Sequence, residues 1–294
     1  MKYTASADTK KRLMRAKLCA LLALAAAAAS AAGLELDRAR NLYNSTDFDG
    51  SLRLLRAMPV KDGAAYELIG RNYYMQHDFK QATEALEKAL AADPGNSGYA
   101  LWLGRAYGRR AEAAGPFTAP AYASKTRQYF EKAVQLDSRN LDALNDLLEY
   151  YLEAPGFLGG GLDKAAATAG RIAQVDAAEG HAAQARLAEK KKEYGAAEQS
   201  FRRAVESAPY QVSRLVDLAR FLMRRGRDQE AEQTFAKAEK LAPNSPKLLY
   251  ERAETYIRNG RNLDLARELL QRYMNSSLTA DDPPRSDAQK LLRQ

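Results

Sequence analysis

Apolar residues recur along the chain at intervals of three and four. Leu86, Ala89 and Leu90 form one such set, and Leu215, Leu218 and Leu222 another. That spacing puts each set on one face of a helix. Sustained alternation of apolar and polar residues occurs nowhere, so the pattern predicts an all-α chain with essentially no sheet. The helix ends are marked as well. Asp93-Pro94-Gly95-Asn96 and Ala242-Pro243-Asn244-Ser245 each combine a proline that stops one helix with a polar residue that caps the next. Small residues at Gly70, Ala82, Gly104, Ala197 and Ala231 let neighbouring helices approach closely.

The pattern repeats. Ala197, Phe201, Ala204 and Pro209 return as Ala231, Phe235, Ala238 and Pro243, each 34 residues later, and Gly104 follows Gly70 by the same interval. The stretch from Tyr66 carries Ile69, Gly70 and Tyr73, then Phe79, Ala82, Leu86, Ala89 and Pro94. An aromatic, Leu-Gly or its equivalent and Tyr on a first helix, Ala–bulky–Ala on a second and a closing Pro resemble the tetratricopeptide repeat. The resemblance covers about 32–275. It implies a right-handed α-solenoid of about seven stacked helix-turn-helix units, near 32–62, 63–96, 97–140, 141–177, 178–211, 212–245 and 246–275. The units at 63, 178 and 212 match the family most clearly. The first is shortened, with Ser51 in place of Ala, and the second helix of the fourth, AAATAGRIA, is small and weakly patterned. The seventh has one extra residue near Leu263. The ending 276–294 contains DAQKLLRQ, which reads as a capping helix with a polar face. One hairpin cannot bury its own apolar face, whereas a stack buries a continuous one and leaves a long concave surface.

Two turns depart from this economy. Residues 154–165, APGFLGGGLDKA, lack the Gly-Lys-Ser/Thr ending of a phosphate loop and follow a helical segment rather than a strand. They read as a lengthened turn between the two helices of the fourth unit, with Pro155 ending one helix and Asp163 capping the next. The third unit is lengthened at the same corner by EAAGPFTAPAYAS, 112–124. Insertions in a solenoid map to one face. Two arrangements fit: Phe117, Tyr122, Phe157 and Leu158 pack together as a flap, or they fill a gap beside the small second helix of the fourth unit.

Charge is concentrated at the start. The chain carries +8, yet residues 1–31 hold six basic side chains against Asp8 alone. The remainder has 39 basic and 36 acidic side chains, a mixed surface rather than a nucleic-acid footprint. TKKRLMRAK, the apolar run Leu18–Ala29 and Ala29-Ser30-Ala31 have the form of a cleaved signal peptide over 1–31. The run is shorter than the ~20 residues of a spanning helix. The expectation is a periplasmic or secreted protein without membrane insertion after cleavage. Cys19 is the only cysteine and lies within this segment, so the mature chain has neither disulfides nor a thiolate nucleophile.

In the tetratricopeptide family the first helix of each unit lines the inner groove. The resemblance places Arg40, Arg71, Arg105, Glu149, Arg186, Arg220 and Glu254 at one groove position. Arg109, Lys190, Arg224 and Arg258 share a second, and Tyr43 and Tyr74 a third. Arg offers a planar fork for carboxylates and stacks on aromatic rings. The partner-binding set is therefore Arg40, Arg71, Tyr74, Arg105, Arg109, Arg186, Arg220 and Arg224, suited to an acidic protein or peptide. Asp142, Asp146, Glu149 and Glu153 form an acidic stripe on one helix face. Three readings remain open for it. It pairs with Arg105, Arg109, Arg186 and Lys190 in a self-neutralising lattice, it leaves the groove free to bind, or it forms a metal-like acidic site.

The mature chain has two histidines, His77 in a turn and His181 at a packing position, and no hydrolase or metal-site motif surrounds either. No enzyme, metal or cofactor is expected. Three roles fit the sequence: a scaffold for a protein or peptide, a binding component that encloses a small organic anion for a transport system, or self-assembly through an exposed end. Oligomeric state is left open.

Overall fold

The computed structural model describes residues 33–293 together with Met14. The leader expected over 1–31 lies, Met14 apart, outside the described residues. Consecutive helices pair into seven antiparallel hairpins followed by a terminal helix. The first pair is α1 (33–44) with α2 (Phe48–Ala57). Then come α3 (Gly63–Met75) with α4 (Phe79–Ala92), α5 (Ser97–Ala113) with α6 (Ala119–Leu136), and α7 (Leu141–Glu153) with α8 (Leu162–Val175). The last three are α9 (Ala177–Lys190) with α10 (Tyr194–Ser207), α11 (Val212–Arg224) with α12 (Asp228–Leu241), and α13 (Pro246–Asn259) with α14 (Leu263–Met274). The terminal helix is α15 (Arg285–Leu292). Among the described residues there is no strand, and no helix is long and apolar enough to cross a membrane.

Each hairpin buries its apolar stripe partly against its own partner and partly against the next hairpin. Three apolar clusters result, following one another along the array. Ala82, Ala197 and Ala231 are fully buried, as close helix crossing requires. Ser51 is equally buried, and Asn72 donates a 3.0 Å hydrogen bond to its hydroxyl. The departure of the first unit at this position is thus satisfied by a polar partner on α3. Side-chain caps start many of the helices. Asn96 accepts from the Tyr99 amide at 3.1 Å, and Ser245 accepts from Leu248 at 3.3 Å.

The turns inside the hairpins share one device. Thr46, His77, Lys192, Gly226 and Gly260 all have φ between +62° and +70°, in the first, second, fifth, sixth and seventh hairpins. A left-handed residue reverses the chain there, joined in the seventh hairpin by a second, Asn262, at φ +45°. The third and fourth hairpins differ. α5 and α6 run to 17 and 18 residues, so most of the 112–124 insertion is helix. In the fourth, a 3-10 turn, Gly156–Leu158, precedes Gly159 and Gly161 at φ +87° and +149°. Asp163 does not cap α8: the cap position is Gly161, and Asp163 lies in the first turn.

The small second helix of the fourth unit leaves no gap on α9. Gly180 faces Ala173, and a Cβ on Gly180 would overlap the Ala173 backbone. After α14 the chain folds back. Leu278 and Ala288 are buried, Thr279 and Asp282 close a short turn, and the Tyr273 hydroxyl bonds the Pro283 carbonyl. α15 then lies on α13 and α14 and also reaches the turn after α3, so the two ends of the solenoid meet.

Replacing Gly180 with Ala adds about 1 kcal/mol of helix propensity, but overpacking against a backbone outweighs it. Gly180→Ala is expected to lower unfolding stability by about 1–3 kcal/mol in urea titration. An unchanged or raised midpoint would show that α8 and α9 are not in tight contact.

Candidate functional site

First helices line the inner face. In the second half of the array, α7, α9, α11 and α13 frame an open cavity of about 670 Å³. It brings together Glu149, Glu153, Arg186, Lys190, Arg220 and Arg224. Arg40, Arg71, Tyr74, Arg105 and Arg109 lie outside this cavity, on the first three units.

The expected basic ladder is a lattice of ion pairs. Arg105 reaches Asp146 at 2.5 Å and Asp142 at 3.6 Å. Arg186 hydrogen-bonds Asn145 at 2.6 Å, with Glu179 at 3.5 Å and Glu149 at 4.0 Å. Lys190 meets Glu153 at 2.9 Å. Arg224 grips Glu189 with two 2.7 Å bonds, and Arg220 reaches Glu254 at 3.1 Å. Apart from the Arg186–Glu179 contact, each pair joins neighbouring units, because the partner sits roughly one repeat away. The acidic stripe is therefore engaged by Arg105, Arg186 and Lys190. Arg109 departs from the expected lattice and pairs with Glu112 on its own helix. Arg40 pairs with Asp37 at 3.4 Å and is the outermost member.

Sharing is uneven. Glu254 serves both Arg220 and Arg258, the latter at 2.8 Å. Glu179 serves both Arg186 and Arg214, the latter at 2.8 Å. One carboxylate between two guanidiniums leaves fork donors for another oxygen ligand. Burial in the concave face pushes the Asp146, Glu149, Asp217 and Glu251 carboxyls above their ordinary values, against the pull of nearby arginines. Asp217, Glu251 and Arg214 are not among the three groove positions that the repeat pattern picks out, because they occupy other positions of α11 and α13.

The first half of the inner face is built differently. Arg71 lies 4.9 Å from the Tyr43 ring and 4.5 Å from the Trp102 ring, and Arg105 lies 5.0 Å from the Trp102 ring. Tyr74 meets Trp102 edge-on at 5.5 Å. Arg71 also bonds Glu67 at 3.2 Å. Trp102 is half-buried and organises this cation–π stack.

Two family models of the tetratricopeptide repeat match the chain, over residues 63–96 and 188–247. These two segments are tetratricopeptide repeats. Solved structures agree on the fold. A tetratricopeptide repeat protein from Parabacteroides merdae is 13% identical, with a TM-score of 0.57, over 90% of this chain and 98% of that one. A thermophilic TPR protein from Thermus thermophilus is 20% identical, with a TM-score of 0.53, over 65% and 99%. No curated protein matches the sequence.

In this repeat protein the flap arrangement is not formed. Phe117 is 96% exposed at the tip between α5 and α6, and Phe157 is 82% exposed on the 3-10 turn. Tyr122 instead lies back on α6, with the Arg110 guanidinium 4.2 Å from its ring and bonded to its hydroxyl at 2.6 Å. Leu158 is half-buried, and its carbonyl accepts from Tyr150 at 2.9 Å. The two lengthened turns brace the α5–α7 edge through Tyr122 and Tyr150, while their phenylalanines point to solvent.

Two contrasts test this geometry. Glu179→Ala strips Arg214, only 6% exposed, of its closest carboxylate, and is expected to cost about 3 kcal/mol. Arg40→Ala removes an exposed pair worth at most ~1 kcal/mol. Equal effects in urea unfolding would contradict the burial assigned to Arg214. Likewise, Tyr122→Ala is expected to cost about 2 kcal/mol and Phe117→Ser almost nothing by thermal melting. A large loss from Phe117→Ser would show that the tip is packed.

Proposed function

We propose that this protein is an exported scaffold that holds an extended, carboxylate-bearing segment of a partner protein along the inner face of its last four units. The fold supports a protein-interaction scaffold in general. The finer reading rests chiefly on the doubly used carboxylates Glu254 and Glu179. An incoming carboxylate can bond Arg220 or Arg258 without leaving Glu254 unpaired, so exchange of partners avoids stranding a charge. Side chains between the carboxylates would lie against Leu152, Tyr194 and Phe201, which also line the cavity. Enclosure of a small anion would need the long turns folded over the groove, and the exposed Phe117 and Phe157 weigh against that. Export is inferred from the leader-like 1–31.

Fluorescence anisotropy with extended peptides that alternate Asp or Glu with apolar residues tests the reading. Binding is expected for these and not for their Lys-bearing counterparts. Arg220→Ala with Arg258→Ala is expected to weaken it about tenfold, or ~1.4 kcal/mol. Affinity is also expected to rise on acidification, because burial raises the groove carboxyls, so that they take up protons before the exposed carboxylates of the peptide do. Equal binding of acidic and basic peptides, or an unaffected double variant, would overturn the proposal.

A further inference from the structure

α15 has two neighbours of different character. Against α13 and α14 it buries Ala288, with Leu291 and Leu292 packed beside it, as a cap does. Across the ring it meets the turn after α3. His77 Nε2 lies 3.0 Å from Ser286 Oγ and 3.2 Å from Asp287 Oδ1, and His77 Nδ1 lies 3.5 Å from Lys290 Nζ. Ala280, earlier in the same segment, packs on the first apolar cluster. Between the two surfaces is not packed core but a cavity of about 400 Å³, with Phe48 and Met75 on one side and Leu278 and Pro283 on the other. The joints between successive hairpins each contain part of an apolar cluster. This one is a few polar contacts and one small apolar contact around a void.

We propose that residues 276–293 form a releasable clasp, which shuts the solenoid into a ring by seating on the turns of the first two units and opens on acidification. The consequence for partner access to the groove rests on the scaffold reading above, whereas the clasp itself does not. Its chemistry centres on His77. In the closed form Nε2–H donates to Ser286 or Asp287, and Nδ1 accepts from the Lys290 ammonium, which is the neutral imidazole. A proton added at Nδ1 would face that ammonium. The charged groups around the ring are Asp287 and Lys290 on α15 and Arg109 on α5, and the Phe79 ring of α4 covers one side at 5.6 Å. Burial, with Lys290 and Arg109, holds His77 below the ordinary histidine value against the opposing pull of Asp287. The released form regains the ordinary value, so it binds the proton more tightly. Closure is therefore favoured above the histidine range and lost as pH falls through it.

Electron–electron distance measurement tests this without any partner. The full chain, carrying Cys19→Ser, receives spin labels at Arg53→Cys on α2 and Gln289→Cys on α15, both exposed positions. One short, narrow distance is expected at pH 8. A second, longer population is expected to grow severalfold at pH 5, with helix content held constant by circular dichroism. His77→Gln should keep the short distance and lose the pH response, and Asp287→Lys should populate the long distance even at pH 8. The same short distance in every chain and at both pH values would show a fixed cap and overturn the clasp. A long, broad distribution at pH 8 would also overturn it. So would a short distance between singly labelled chains, which would mean exchange with a second copy. Peptide binding could fail in every case without changing these outcomes.

Discussion

A helical hairpin of about 34 residues buries only one side of its apolar stripe, and the rest of this structure follows from that constraint. Each hairpin needs a neighbour. Close stacking then requires small residues at the crossings, which is why Ala82, Ala197 and Ala231 are fully buried and why Gly180 sits directly on Ala173. Stacking also fixes the spacing of the first helices. Charged residues on neighbouring first helices come within reach of one another, and the inner face becomes a lattice of pairs such as Arg224–Glu189 and Arg105–Asp146.

That lattice changes the nature of the groove. Arginines repeated on one face suggest a positive surface, but here each draws on a carboxylate from its own helix or the next unit. Exposed pairs contribute little stability. What they provide is a set of oriented guanidinium forks, which in the proposed function exchange carboxylates with a partner. On that proposal the doubly used Glu179 and Glu254 mark where the exchange is least costly. The aromatic stack of Tyr43, Arg71 and Trp102 gives the first half of the inner face a different character, because there a guanidinium lies on rings as well as on a carboxylate.

Much of the fold was legible in the sequence because its determinants are local and periodic. The 34-residue interval, the Ala positions and the Pro-bearing turns each report on structure within one unit. Other features were not legible, for physical reasons. Arg220 was visible as a groove residue, but its partner Glu254 is 34 positions away, and pairing depends on the rotation between units. The 112–124 insertion contains Pro and Gly and reads as a loop. Yet Pro120 falls in the first turn of α6, where its missing N–H costs nothing, and helix absorbs most of the segment. The return of the tail to His77 spans 209 residues, and no local pattern encodes it. It follows from the accumulated curvature of seven stacked hairpins.

The most direct test of the account is site-specific photocrosslinking in intact cells. A photoreactive phenylalanine analogue replaces Tyr194, an exposed ring that lines the groove, or Gln233, exposed on the outer helix α12. The account predicts a discrete crosslinked protein from Tyr194, lost when Arg220 and Arg224 are changed to Glu, and none from Gln233. Crosslinks from Gln233 alone, or from Tyr194 irrespective of those arginines, would contradict the claim that the inner ion-pair lattice is the binding surface.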